Sequence, residues 1–168
     1  MRGRLAWKAG LVAACAAGFV AGPAAIEQRP LPAFVLAAAD GTEAPSAAMV
    51  REGKWLLVYV TPSCRTCEGL LRDMARWESA ALPGATVLVV GEAAHAAAQE
   101  FVTRAVPEGL TAAAWYADTQ GQARDALRLQ GAPVVIGLRG ESIQWAIAGV
   151  LNNPRTLESA LRSWVEQP

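Results

Sequence analysis

Six apolar residues in succession, WLLVYV at 55–60, run directly into TPSCRTCEGLL at 61–71. An unbroken run rich in aromatic and branched residues is what a strand covered on both faces requires, because neither side of it meets water. Pro62 and Ser63 end the run. From Cys64 the apolar spacing changes to three and four, through Cys67, Leu70, Leu71, Met74 and Trp77, which predicts a helix that continues until Leu82, Pro83 and Gly84. Two thiols three positions apart therefore stand where a buried strand gives way to a helix.

The flanking sequence supplies what such a strand needs around it. AFVLAAADGTEAP, from Ala33, predicts a hairpin about Asp40 and Gly41, and Ser46 is expected to cap a short helix through Val50. TVLVV at 86–90 reads as a second buried strand, 93–106 as a helix and 113–117 as a weak strand. Residues 119–129 predict another helix, with Thr119 as cap and Gly131 beyond its end. PVVIGLR from Pro133, a turn at Gly140 and Glu141, and SIQWAIAG predict an antiparallel hairpin. Asn153 and Pro154 open a last helix with Leu157, Leu161, Trp164 and Val165 on one face. With 168 residues, 53% of them hydrophobic, the chain can fill one core. We expect a single domain over 33–168, joined to what precedes it by a linker at 27–32, EQRPLP.

The N-terminus has a different character. Arg2, Arg4 and Lys8 precede a charge-free stretch from Ala9 to Ile26, so residues 1–26 read as a signal peptide or a membrane anchor. Basic residues ahead of the apolar stretch place the rest of the chain outside the cytoplasm, on the periplasmic side of the bacterial cytoplasmic membrane, or in the soluble periplasm after cleavage. Cys15, within this stretch, reads as a small apolar residue; the alternative is lipid attachment. Those three cations are among 15 basic residues against 15 acidic ones, so the remainder is net −3, which argues against a nucleic-acid surface.

A Cys-x-x-Cys pair that opens a helix has a physical logic. The first turn presents unpaired N–H groups and the positive end of the helix dipole, which stabilise a thiolate. Cys64 would then be the nucleophile, Cys67 one turn on would displace the resulting mixed disulfide, and Arg65 between them would push the first thiol the same way. Two plainer readings stand beside this one: a structural disulfide, and half of a zinc site for which only His95 and carboxylates remain as further ligands. His95, the only histidine, reads as a residue at the start of its helix. Gly91 and Gly121 lack the surroundings of a phosphate loop, and we expect no cofactor and no metal.

The order of elements, the strand ending in TPSCRTC and the later GAPVVIGL resemble the thioredoxin superfamily, in its exported TlpA-like and ResA-like branch, over about residues 30–166. Residues 61–71 and GVLNNPRTLESAL, from Gly149, are most similar to MauD-type proteins of methylamine utilisation. The resemblance implies a thioredoxin-like α/β fold, a central mixed sheet flanked by helices, with an added N-terminal hairpin. It implies a thiol-disulfide oxidoreductase with Cys64 and Cys67 catalytic. It also implies that Pro133 is cis, faces the pair and, with Ala132, offers backbone to a substrate polypeptide. The implied partners are a protein with cysteines, such as methylamine dehydrogenase or a cytochrome c in maturation, and a membrane electron donor or acceptor.

The sequence also departs from its relatives. Ser63 stands where many of them carry tryptophan, and Val58 falls where cytoplasmic thioredoxins bury an acid, which leaves Cys67 without that proton acceptor; Glu68 reads as solvated surface. The alternative function is a non-enzymatic accessory protein that holds a client or delivers a metal to it on the same fold.

Overall fold

The computed structural model describes residues 28–77, 82–83, 85–110, 114–149 and 154–167. The apolar N-terminal stretch and Cys15 lie outside them. Along the chain the strands are β1 (Arg29–Pro30), β2 (Val35–Ala38), β3 (Glu43–Pro45), β4 (Lys54–Val60), β5 (Thr86–Gly91), β6 (Ala114–Asp118), β7 (Val134–Arg139) and β8 (Ser142–Ala148). The helices are α1 (Arg65–Arg76), α2 (His95–Ala105), α3 (Gln122–Leu127) and α4 (Pro154–Glu166). All eight strands form one sheet in the order β1-β8-β7-β4-β5-β6-β2-β3.

The apolar run becomes β4 at the centre of that sheet, paired parallel to β5 and antiparallel to β7. Alternation along a strand sends neighbours to opposite faces. Leu56, Val58 and Val60 join a core with Cys67, Leu71, Met74, Phe101, Leu157 and Leu161, under α1, α2 and α4. Trp55, Leu57 and Tyr59 join the other core with Met49, Val87 and Leu127, under α3 and the N-terminal segment. Each fully buried side chain of this size contributes about 1.5–3 kcal/mol of transfer free energy, which is why a run apolar on both sides settles in the middle. The β2–β3 hairpin extends the sheet beyond β6, as an addition at its margin.

Several expectations change in detail. Residues 29–30, read as linker, pair with Ile143 and Ser142 as an edge strand, and Arg29 donates to the Leu127 carbonyl. Ser46 does not cap the short 3-10 turn Ser46–Met49; its hydroxyl donates to the Pro32 carbonyl and accepts the Phe34 N–H, fastening the segment ahead of the hairpin. The helix expected over 119–129 is only Gln122–Leu127. Its start is held by Asp118 rather than Thr119: the Asp118 carboxylate accepts the Arg124 N–H at 3.0 Å, and Gly121 turns the chain at a φ of 71°. Arg128, with its backbone left-handed, ends it before Gly131. The helix after Cys64 stops at Arg76, ahead of the Pro83 signal.

The last helix is tied down by Lys54 at the start of β4. Its ammonium donates to the carbonyls of Trp164, Val165 and Gln167, completing groups that a helix C-terminus leaves without partners. Among the described residues no helix is long and apolar enough to cross a membrane.

Candidate active site

The turn from β4 into α1 places the two thiols differently because of where each falls on the helix. Cys67 is on the inward face with Leu71 and Met74, at spacings of four and three, and is fully buried. Cys64 precedes the first turn with an extended backbone, φ −85° and ψ 100°, and stays partly exposed. Its N–H donates to the Thr61 carbonyl at 3.1 Å, and its own carbonyl accepts from Cys67 N–H at 3.1 Å, so the end of β4 and the start of α1 are locked together. The two sulfurs form a disulfide with Cα atoms 5.4 Å apart. The Cys64 sulfur lies 3.4 Å from the Thr66 hydroxyl, and Thr61 and Ser63 share a hydrogen bond of 3.2 Å just upstream. The free end of the helix dipole thus meets the more accessible sulfur.

Pro133 follows a cis peptide bond from Ala132. The β4–β7 register pairs Tyr59 with Val134, so its continuation brings Thr61 opposite Ala132, at the end of the sheet where the cysteine turn begins. The Pro133 carbonyl accepts from Gly149 N–H at 2.8 Å. Between this segment and α1 lies a groove of about 290 Å³ whose lining includes Arg65, Thr66, Gly69, Trp77, Pro133 and Ile147. Arg65 is exposed at this groove. The structure therefore brings Cys64, Cys67, Arg65 and Pro133, all singled out in the sequence, to one place, with Ala132 beside them.

Around the buried sulfur the surroundings are apolar: Val58 is fully buried in the same cluster as Cys67. Glu68 faces away and pairs with Arg104 at 3.3 Å on the surface. His95 opens α2, bonds the Ala38 carbonyl through Nε2 at 2.8 Å and packs against the Trp115 ring. Among the described residues no group of three or more His, Cys, Asp or Glu side chains is placed to hold a metal.

Three residues escaped the sequence reading. Thr66 contacts sulfur, yet a threonine between two cysteines carries no signal of its own. Gly69 interrupts a helix-forming run, a signal that was visible. A glycine there costs about 0.5–1 kcal/mol relative to alanine. Asp118 is buried at 1% exposure, at the end of β6 on the far side of the sheet from α1. One carboxylate oxygen accepts from Tyr59 and Arg124 N–H, while the other has no protein partner. Burial, and next the charge of Asp118, raise the Tyr59 phenol above its ordinary range.

No family model matches the chain, and no curated protein matches its sequence. Solved structures do match. A secreted Mycobacterium tuberculosis disulfide oxidoreductase homologous to E. coli DsbE shares 16% identity at a TM-score of 0.62, over 77% of this chain and 95% of that one. A thiol-disulfide oxidoreductase from Bacteroides fragilis shares 14% identity at 0.61, over 81% and 99%. A thio-disulfide isomerase from Thermus thermophilus shares 16% identity at 0.61, over 83% and 96%. At these identities the likeness establishes the fold, which is thioredoxin-like: a mixed sheet flanked by helices.

Proposed function

We propose that the protein is a thiol-disulfide oxidoreductase that acts on a protein client outside the cytoplasm through Cys64 and Cys67. The observation that carries this reading is the disulfide at the tip of α1, with one sulfur partly exposed and its mate fully buried. A purely structural staple needs no such asymmetry, and closing so short a loop constrains the unfolded chain little. The solved structures of like fold bear names of the same chemistry.

In the oxidised protein a client thiolate attacks the Cys64 sulfur and Cys67 leaves as a thiolate, taking a proton from water. The client's second thiolate then attacks the client sulfur of the mixed disulfide and releases Cys64 as a thiolate at the helix tip. The client has lost two electrons and the protein has gained them. Run in reverse, Cys64 attacks a client disulfide and Cys67 resolves the intermediate. Stabilisation of the Cys64 thiolate by the helix end and Arg65 favours the reduced protein, and so the direction that donates a disulfide. A potential near those of strong oxidants supports donation; one near cytosolic thioredoxin supports reduction. In either direction a second thiol-disulfide or membrane electron partner must reset the pair.

Ala132 and Pro133 supply the edge against which the client backbone aligns. The basic and apolar N-terminus supports export, as a cleaved signal or a retained tether, consistent with the secreted M. tuberculosis protein. The MauD-type resemblance supports a client that is itself an exported redox enzyme, such as methylamine dehydrogenase, with cytochrome c maturation as the other candidate. Expression of Cys67→Ser in the source organism should trap the client on Cys64 as a mixed disulfide identifiable by mass spectrometry. If Cys64→Ser, run in parallel, yields the same adducts, the assignment of the nucleophile is wrong.

A further inference from the structure

We propose that Thr61 is a positioning residue: with Ser63 it clasps the turn that carries Cys64, and so holds that cysteine in reach of Cys67 after the disulfide opens. This rests on the reading of Cys64 and Cys67 as an exchange pair. Among the described residues the buried non-aromatic polar side chains are Ser46, Thr61 and Asp118. Two of them fasten one segment to another, Ser46 through Pro32 and Phe34, Asp118 through Tyr59 and Arg124. Thr61, the third, is 3% exposed and follows six buried aromatic or aliphatic residues, 55–60. A valine would fill its place without the cost of burying a hydroxyl, so the hydroxyl needs a reason.

The geometry supplies one. The Thr61 hydroxyl meets that of Ser63 at 3.2 Å across Pro62, and the Thr61 carbonyl accepts the Cys64 N–H at 3.1 Å. Side chain and backbone thus close the same four-residue turn, with proline at the position that favours it. The clasp ties the exposed Ser63 to a residue fixed by burial at the end of β4. In the oxidised protein the sulfur–sulfur bond holds Cys64 by itself. In the mixed disulfide that bond is gone, and the turn keeps the Cys64 sulfur beside Cys67. Resolution is attack of the Cys67 thiolate on the Cys64 sulfur: the bond from Cys64 to the foreign sulfur breaks, the Cys64–Cys67 bond forms, and the foreign sulfur leaves as a thiolate. A held geometry raises the effective concentration of Cys67 at that sulfur.

The probe is glutathione. In full-length Thr61→Val the equilibrium constant for forming the Cys64–Cys67 disulfide from oxidised glutathione should fall about fivefold, the worth of one net hydrogen bond, and the glutathione adduct on Cys64 should resolve more slowly by the same factor. Attack of reduced glutathione on the oxidised protein should keep its wild-type rate. Ser63→Ala, at an exposed position, should reproduce both changes, the double variant should add nothing to either single one, and Thr61→Ser should restore the wild-type values. A residue that merely supports the fold would lower Tm without moving this equilibrium. Hydrogen exchange of the Cys64 amide in Cys67→Ser reads the turn without any redox step, and adding Thr61→Val should speed it about fivefold. An unchanged glutathione equilibrium in Thr61→Val, or an unchanged amide rate, overturns the positioning role. A wild type inert towards glutathione, with the Cys64 amide still losing protection in Thr61→Val, would instead overturn the exchange reading and leave the clasp standing.

Discussion

Val58 and Tyr59 are consecutive residues of one central strand, yet they look into different chemistry. Val58 faces α1 in a wholly apolar core that also holds Cys67. Tyr59 faces the other way, and its hydroxyl donates to the buried carboxylate of Asp118 at 3.4 Å. The protein thus tolerates a buried acid at the end of its sheet but keeps it on the side away from the thiols. There Asp118 binds the start of α3 and the Tyr59 hydroxyl, a task of fastening rather than of proton transfer. On the exchange reading proposed above, proton exchange at Cys67 goes through water or the substrate's own sulfur once the disulfide opens.

This division can be broken from either side. The largest effect is expected at the thiols: Cys64→Ser should reduce disulfide exchange with a model disulfide to the uncatalysed background, while leaving the fold intact by circular dichroism. Next is Val58→Asp, which puts a carboxylate into the apolar side without a partner. Urea unfolding should show a loss of about 3 kcal/mol at pH 7. The buried carboxyl is held protonated above its unfolded value, so the loss should shrink as pH falls towards about 4, where the unfolded carboxyl is protonated too. A variant as stable as the wild type would mean that water reaches the space under Cys67.

On the other side, Asp118→Ala strands the Tyr59 hydroxyl and the Arg124 N–H. A loss of about 2 kcal/mol in unfolding free energy is expected, with exchange rates per folded molecule unchanged. A large fall in exchange rate would tie Asp118 to the redox chemistry after all. The smallest effect is that of Tyr59→Phe, about 1 kcal/mol at neutral pH. It carries a signature of its own. The phenol is raised in the folded protein, so its contribution is complete below its ordinary value of about 10 and is lost as pH rises beyond that. The variant should therefore lose less stability than the wild type between pH 10 and 11, as measured by denaturant titration across that range.

How much of this was legible beforehand differs between the two sides. The thiol side was read almost residue by residue, because a strand apolar on both faces, a turn with proline and a helical spacing that begins at a cysteine are all local signals. The valine under Cys67 was named through the resemblance to thioredoxins, not from the strand's own spacing. Asp118 could not be given its role: an acid at the end of a weak strand looks solvated until Tyr59, 59 positions earlier, is known to point at it. For the same reason Thr119 was expected to cap a helix whose start Asp118 in fact holds from inside the protein. The reach of β1 into the sheet was hidden by Pro30, which suits a linker and an edge strand equally.

By itself the sequence determined the central strand, the helix start that receives the cysteines and which of them turns inward, since each follows from hydrophobic spacing and backbone propensity over about a dozen residues. Only the tertiary structure decided that Pro133 comes to the end of the sheet where Cys64 lies, and that Asp118, the one buried acid among the described residues, faces away from it. Those relations join residues 69 and 54 positions apart through the pairing of β4 with β7 and β5 with β6, and register across a sheet is a property of the assembled fold rather than of any one segment.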